Sequence, residues 1–198
     1  MKNLLAGLLT LGLSFSLNAN AINIDLIADH AAINIGENVE VQVRISGLDG
    51  ELALGAYDVN FNYDASLFSI NTIIWGDSQG NQLDLSGSGS LQDTSSGIGW
   101  LNLFELSFDD MPTLELLQQS EFTLFSVLLN AIAIGSGDFS LTANTLGDAS
   151  GNDLFLDSIN GVNINVNGAS VPEPSSLLLL IGVLAMLVLR TKLPHSPT

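Results

Sequence analysis

The chain of 198 residues carries 21 acidic against 4 basic side chains, a net charge of −17, and no cysteine. Its length leaves room for one domain of ordinary size once targeting segments are set aside. The missing thiols exclude a disulfide framework, thiolate metal sites and cysteine nucleophiles, and the negative field repels phosphate backbones, which excludes nucleic acid as a partner.

The first segment reads as a secretory signal, residues 1–21. Lys2 supplies the positive start, Leu4 to Leu17 the apolar run, and Ala19-Asn20-Ala21 the small-x-small site at which signal peptidase cuts. The mature chain then begins at Ile22. An uncleaved anchor is the alternative, but the run is short for a membrane span.

From Ile22 onward, apolar and polar residues alternate with period two. Ile22, Ile24 and Leu26 alternate with Asn23 and Asp25. Val39, Val41, Val43 and Ile45 alternate with Glu40, Gln42 and Arg44. Tyr57, Val59, Phe61 and Tyr63 alternate with Asp58, Asn60 and Asn62, and Val162, Ile164 and Val166 with Asn163 and Asn165. Each segment buries one face and wets the other, the habit of strands in a two-sheet sandwich. Phe68 to Trp75, Ile98 to Phe108, Phe122 to Ile134 and Phe139 to Leu146 are apolar enough for core strands. Phe122 to Ile134 can also be taken for a helix, although Gly135-Ser136-Gly137 at its end and its Phe, Val and Ile content favour a strand. Pro112 and Thr113 start one short helical turn through Gln119.

Turn chemistry separates the runs at Asp49-Gly50, Asp64-Ala65-Ser66, Gly76 to Asn81, Ser86 to Gly99 and Gly147 to Asp153. Ser86 to Gly99 reads as the longest and most mobile loop. About eight or nine strands in a single all-β jelly-roll sandwich is the expected architecture, over residues 22–168.

Catalytic signals are poor. His30 is the one histidine in this region, it stands beside Asp29 in a loop or strand end, and no Gly-x-Ser-x-Gly turn accompanies it. Acids are plentiful, so a paired-carboxylate hydrolase stays open as a third reading, without a cleft motif to select the pair. Asp148, Ser150, Asn152 and Asp153 put oxygen ligands at alternate positions of a tight loop, which suits calcium. The loop lacks the Gly and Glu of an EF-hand, and a solvated turn with Gly151-Asn152 at its tip explains the same residues. Trp75, beside Gly76-Asp77, is a candidate for stacking on sugar rings, whereas Trp100 sits in an apolar strand and reads as core.

At the C-terminus a linker, residues 169–176, contains Val171-Pro172-Glu173-Pro174, and residues 177–198 read as a transmembrane helix with a basic tail. The apolar run Leu177 to Leu189 reaches roughly 20 Å as a helix, against a hydrocarbon core of about 30 Å. Ser175, Ser176 and a snorkelling Arg190 make up part of the difference. Arg190 and Lys192 favour the cytoplasmic side, which leaves the domain outside the inner face.

Two resemblances follow. Val171-Pro172-Glu173-Pro174, the short apolar helix and the closing bases resemble a PEP-CTERM sorting signal. That resemblance implies an exosortase that reads the proline-held extended tripeptide, removes the tail and delivers the protein to the cell surface or extracellular polysaccharide. A plain single-span anchor is the alternative. The middle resembles the cohesin-like module, a jelly-roll related in fold to some carbohydrate-binding modules. The carrying residues are Gly36-Glu37-Asn38-Val39, Val41-Gln42-Val43, Ile45-Ser46-Gly47-Leu48, Leu54 to Asp64, Leu67, Gly135 to Leu141 and Asp148 to Asn152. It implies a non-enzymatic surface or matrix module that binds a dockerin-like protein. A carbohydrate-binding or structural matrix protein, associated with extracellular polysaccharide, is the rival expectation.

Overall fold

The computed structural model describes residues 21–48, 52–77, 80–168, 180–184 and 186. In chain order the elements are β1 (Ile22–Ala28), β2 (Ala32–Asn34), β3 (Asn38–Ser46), β4 (Leu54–Asn62), β5 (Phe68–Trp75), β6 (Ser90–Gly97), β7 (Trp100–Ser107), α1 (Met111–Leu117), β8 (Glu121–Ala131), β9 (Gly135–Asp148), β10 (Leu156–Asn160) and β11 (Val162–Asn167). They form a five-stranded sheet, β10-β1-β3-β8-β5, facing a six-stranded sheet, β2-β11-β9-β4-β7-β6. Pairing is antiparallel except where β10 joins β1 and β2 joins β11.

The alternation that predicts these strands also fills the core. Val39, Val41, Val43 and Ile45 of β3 point inward and are fully buried, opposite Tyr57, Val59 and Phe61 of β4. Burying each such side chain contributes about 1.5–3 kcal/mol. Phe139 sits at the centre of an aromatic cluster, 5.8 Å from the Phe61 ring and 4.8 Å, edge-on, from Phe68. The stretch from Phe122 is a strand, β8, as its β-branched and aromatic content requires, but it ends at Ala131, and residues 132–134 form the turn into β9. The helical turn is present too. Asp110 caps α1 by accepting from the Thr113 N–H, with Pro112 in the first turn, where a missing N–H costs nothing.

Several expectations need correction. The sandwich has eleven strands among the described residues instead of eight or nine, because the short β2 and the edge strands β6 and β10 carry no apolar alternation. Ser86 to Gly99 is not a long loop: Ser90–Gly97 is β6, paired residue for residue with β7. Its polarity reflects an edge position exposed on both faces, where hydroxyls and an acid discourage further strand addition. Gly135-Ser136-Gly137 is not the turn after β8 but the start of β9. A Cβ on Gly135 would meet Leu67 at 2.8 Å, and one on Gly137 would meet Phe68 at 2.6 Å, so glycine lets these two side chains close the end of the core.

The cleavage residue Ala19 and the turn Asp49-Gly50 lie outside the described residues. So do Val171, Pro172, Glu173, Pro174, Arg190 and Lys192. The expected membrane span from Leu177 to Leu189 is largely outside them as well, with residues 180–184 and 186 described as helical. Among the described residues no helix is long and apolar enough to cross a membrane.

Candidate functional site

The two sheets differ in what they show to solvent. On the outer side of the five-stranded sheet, Glu40, Gln42 and Arg44 of β3 carry the polar face. Arg44, the single base between residues 22 and 168, pairs there with Glu121 at 3.0 Å. The outer side of the six-stranded sheet is mixed. On β7, Leu101, Leu103 and Glu105 turn inward, so Trp100, Asn102, Phe104 and Leu106 turn outward. Trp100 is 40% exposed and Leu106 38%, Phe104 is half-buried, and Leu91 of β6, directly opposite Leu106, is 49% exposed. The Trp100 indole lies across Gly97, its cross-strand partner, where only a missing side chain makes space.

Beside this apolar row β4, β7 and β9 hold a closed ring of amides around one carboxylate. Asn102 donates to Asp58 at 2.6 Å and to the side-chain Oδ1 of Asn60 at 3.0 Å. Asn144 donates to Asp58 at 3.0 Å and accepts from Asn60 at 3.3 Å. A register shift between Asp58 and Val59, whose partners are Thr145 and Ala143, bulges β9 at Asn144 and turns that side chain onto the face. The result is an outer face with an apolar stripe and a hydrogen-bonded polar border.

Beneath it lies a buried acid. Glu105 is fully buried between the sheets and accepts from Tyr57 Oη at 2.9 Å, from Gln92 Nε2 at 2.9 Å, and from Asn81 and Ser90. Among the described residues no cation faces it; four neutral donors satisfy it and tie the segment from Asn81 to Gln92 to β4. Burial, then the charge of Glu105, pushes the Tyr57 phenol well above its ordinary value, so it stays a donor.

The residues singled out from the sequence are scattered. Ala21 is exposed just before β1. His30 is a surface residue whose Nδ1 stands 3.2 Å from Asp29. Trp75 is half-buried at the end of β5, packed against the margin of the core. Trp100, expected inside, is exposed on the outer face of the six-stranded sheet, a correction forced by the inward register of Leu101 and Leu103. The Asp148 turn is closed on itself: the carboxylate accepts from the N–H groups of Ser150 and Asn152 at 2.8 Å each, and from Asn152 Nδ2 at 3.0 Å. Burial raises the Asp148 pKa, and the donors of Asn152, Ser150 and Gly151 outweigh it and hold the group below its usual range. Ser150 Oγ points to the Met111 sulfur, and Asp153 bridges back to Gly147. Among the described residues no three acids or histidines converge on one point.

Sequence reasoning missed Leu91, Phe104, Leu106 and the Asp58 ring. The available sign was Trp100-Leu101-Asn102-Leu103-Phe104-Glu105-Leu106, where large apolar residues occupy both faces of one strand instead of the core face alone.

With this geometry in hand, comparison with known proteins defines the class: the chain holds a cohesin-like β-sandwich. The Cohesin domain family model matches residues 25–95. Similar solved structures include a type II cohesin in a cohesin–X-dockerin complex from Acetivibrio cellulolyticus, at 16% identity and TM-score 0.60, covering 74% of this chain and 99% of that one. A type I cohesin–dockerin complex from Clostridium thermocellum aligns at 12% identity and TM-score 0.58, over 75% and 100% of the two chains. A non-cellulosomal cohesin from the hyperthermophilic archaeon Archaeoglobus fulgidus aligns at 15% identity and TM-score 0.55, over 80% and 97%. No curated protein matches the chain.

Proposed function

We propose that this protein is a non-enzymatic interaction module of the cell surface or extracellular matrix. It docks a dockerin-like protein on the outer face of the six-stranded sheet. The observation that carries the reading is the row Leu91, Leu106, Phe104 and Trp100 beside the Asp58–Asn60–Asn102–Asn144 ring: an apolar centre with a pre-ordered polar rim is the anatomy of a protein interface. The matched cohesins from Acetivibrio and Clostridium form complexes with dockerins, which supports the same class of partner here. The partner's contact surface should carry donors or bases, since the face offers acids and amide oxygens without a cation. Titration calorimetry against a dockerin-type protein tests this. Trp100→Ala with Leu106→Ala should weaken binding by at least about tenfold with melting unchanged, since buried aromatic anchors each contribute about 2 kcal/mol or more. Full affinity in that variant would remove the face from the interaction.

Binding of extracellular polysaccharide is the second reading. Phe155 favours it: this ring is 86% exposed beside a shallow groove lined by Asn144, Thr145, Asp153 and Leu154. Glycan binding lost in Phe155→Ala, or in Trp75→Ala, would favour it over the first reading.

Export and sorting complete the proposal. Signal peptidase frees Ile22, the C-terminal segment holds the precursor in the inner membrane, and an exosortase reads Pro172-Glu173-Pro174 before release. Replacing those three residues with alanine should leave full-length precursor in the membrane, and intact mass of the extracellular protein should lack the tail. An extracellular species retaining Leu177 to Thr198 would refute the sorting step.

A further inference from the structure

The domain leaves its last strand at a particular place. β11 ends at Asn167, whose carbonyl accepts from the Ile35 N–H at 2.9 Å, and the next residue, Gly168, lies against the Ile134 side chain. Ile132 donates its N–H to Leu67 at 2.8 Å, and the Tyr63 N–H reaches Gly99 at 3.0 Å, next to Ile98 at the tip of the β6–β7 hairpin. The chain exit, the turn after β4, the turn after β8 and that hairpin tip therefore share one end of the sandwich. Four isoleucines stand out of it: Ile35 at 38%, Ile132 at 46%, Ile134 at 64% and Ile98 at 95% exposure. None of them belongs to the docking face, and exposed apolar side chains gathered at one end, instead of scattered singly, mark an interaction surface.

What covers them follows from the sequence beyond the exit. The apolar run starts at Leu177, so the tether from Gly168 spans at most about 30 Å even when fully extended. Whenever that run is in a bilayer, this end of the domain is held close to the membrane surface. β1 begins at the opposite end, beside Ser46 and the start of β10. We propose that the isoleucine end is a membrane seat: before release, Ile35, Ile98, Ile132 and Ile134 rest in the lipid interface and fix the domain upright. This rests on the tail reading given above. Asp29, Glu37 and Asp64 lie around the same end with His30, so the seat suits zwitterionic headgroups, and anionic lipid opposes it. Partition of exposed isoleucines adds to the hold of a short apolar run that alone falls below the bilayer thickness.

The two tryptophans report the orientation directly. Trp100 follows the Ile98 tip, whereas Trp75 ends β5 at the far end of a sandwich whose strands run about 30 Å. The chain from Ile22 to Thr198 is reconstituted in phosphatidylcholine vesicles with brominated acyl chains, as Trp75→Phe and as Trp100→Phe. Quenching of Trp100 should exceed that of Trp75 at least twofold, and phosphatidylserine should reduce it. In Ile98→Asp with Ile134→Asp, both exposed and outside the core, Trp100 quenching should fall to the Trp75 level while the chain still sediments with vesicles. Equal quenching of the two tryptophans, or quenching indifferent to the two aspartates, overturns the seat. A chain that fails to sediment with vesicles overturns the tail reading and the seat with it.

Discussion

Removing Glu105 should be among the most damaging single changes in the domain, and the structure sets the scale. Glu105→Ala takes the acceptor from four donors, but these are not equal. Tyr57 is 1% exposed, so its hydroxyl is stranded with only a long 3.4 Å contact to the Leu124 carbonyl. An unsatisfied buried hydroxyl costs about 1–3 kcal/mol. Asn81, Ser90 and Gln92 are nearer solvent and can turn to water, so each loses a net bond of about 0.5 kcal/mol. The emptied volume adds roughly 1 kcal/mol. The sum is about 3.5–5.5 kcal/mol. Tyr57→Phe alone leaves the carboxylate with three donors and should cost about 1 kcal/mol. The double variant should be less damaging than the two costs added, by about 1–2 kcal/mol, because the stranded hydroxyl is gone. Urea unfolding followed by near-ultraviolet circular dichroism measures all three; at a slope of about 2 kcal/mol per molar, Glu105→Ala should lower the midpoint by roughly 1.8–2.8 M. A coupling below about 0.5 kcal/mol would show that the Tyr57–Glu105 bond is not what the buried acid is for.

Other outcomes follow from single features. Gly137→Ala should destabilise the fold by about 1–3 kcal/mol, because its Cβ meets the Phe68 ring within the core; calorimetric melting checks it. Acid should loosen the turns. Asp64, Asp110 and Glu37 are held below their ordinary values by hydrogen bonds from Ser66, Thr113 and Asn34 respectively, and Asp148 by its own turn. A group with a lowered folded pKa contributes stability above its unfolded value and loses it as pH falls through the folded one, so melting temperature should drop below about pH 4. Alkali should act through Tyr57: its folded pKa is raised, so stability falls as pH climbs past the ordinary tyrosine value of 10.0, and Tyr57→Phe should flatten that arm. With the Asp148 carboxylate already filled by turn donors, melting in calcium and in chelator should coincide; a rise of several degrees in calcium that Asp148→Ala abolishes would assign the turn to the metal.

The sequence carries the sandwich clearly where a strand has one wet face and one dry face. β1, β3, β4 and β11 are of that kind, and their alternation is also the core. It fails for β6, because Ser90 to Gly97 sits on an edge and no face of it is buried, so nothing apolar marks the strand. It misleads at Gly135 and Gly137, since glycine signals a turn and here serves close approach by Leu67 and Phe68. The docking face is half-legible. Trp100 is conspicuous, yet assigning it inward or outward needs the register of β7, which only the positions of Leu101 and Leu103 against β4 decide. The Asp58 ring depends on a bulge at Asn144, and no local residue choice announces it.

Arg44 has a consequence for how the domain endures outside a cell. Trypsin-like proteases cut after Lys or Arg, and between residues 22 and 168 that leaves one bond. Arg44 stands in β3, hydrogen-bonded between β1 on one side and β8 on the other, and a strand held on both edges cannot be drawn into a protease cleft. Cleavage there requires β3 to leave the middle of its sheet, which means losing the fold. The folded domain is therefore a blank surface to this protease class, and the appearance of the single cut is a direct clock of global unfolding.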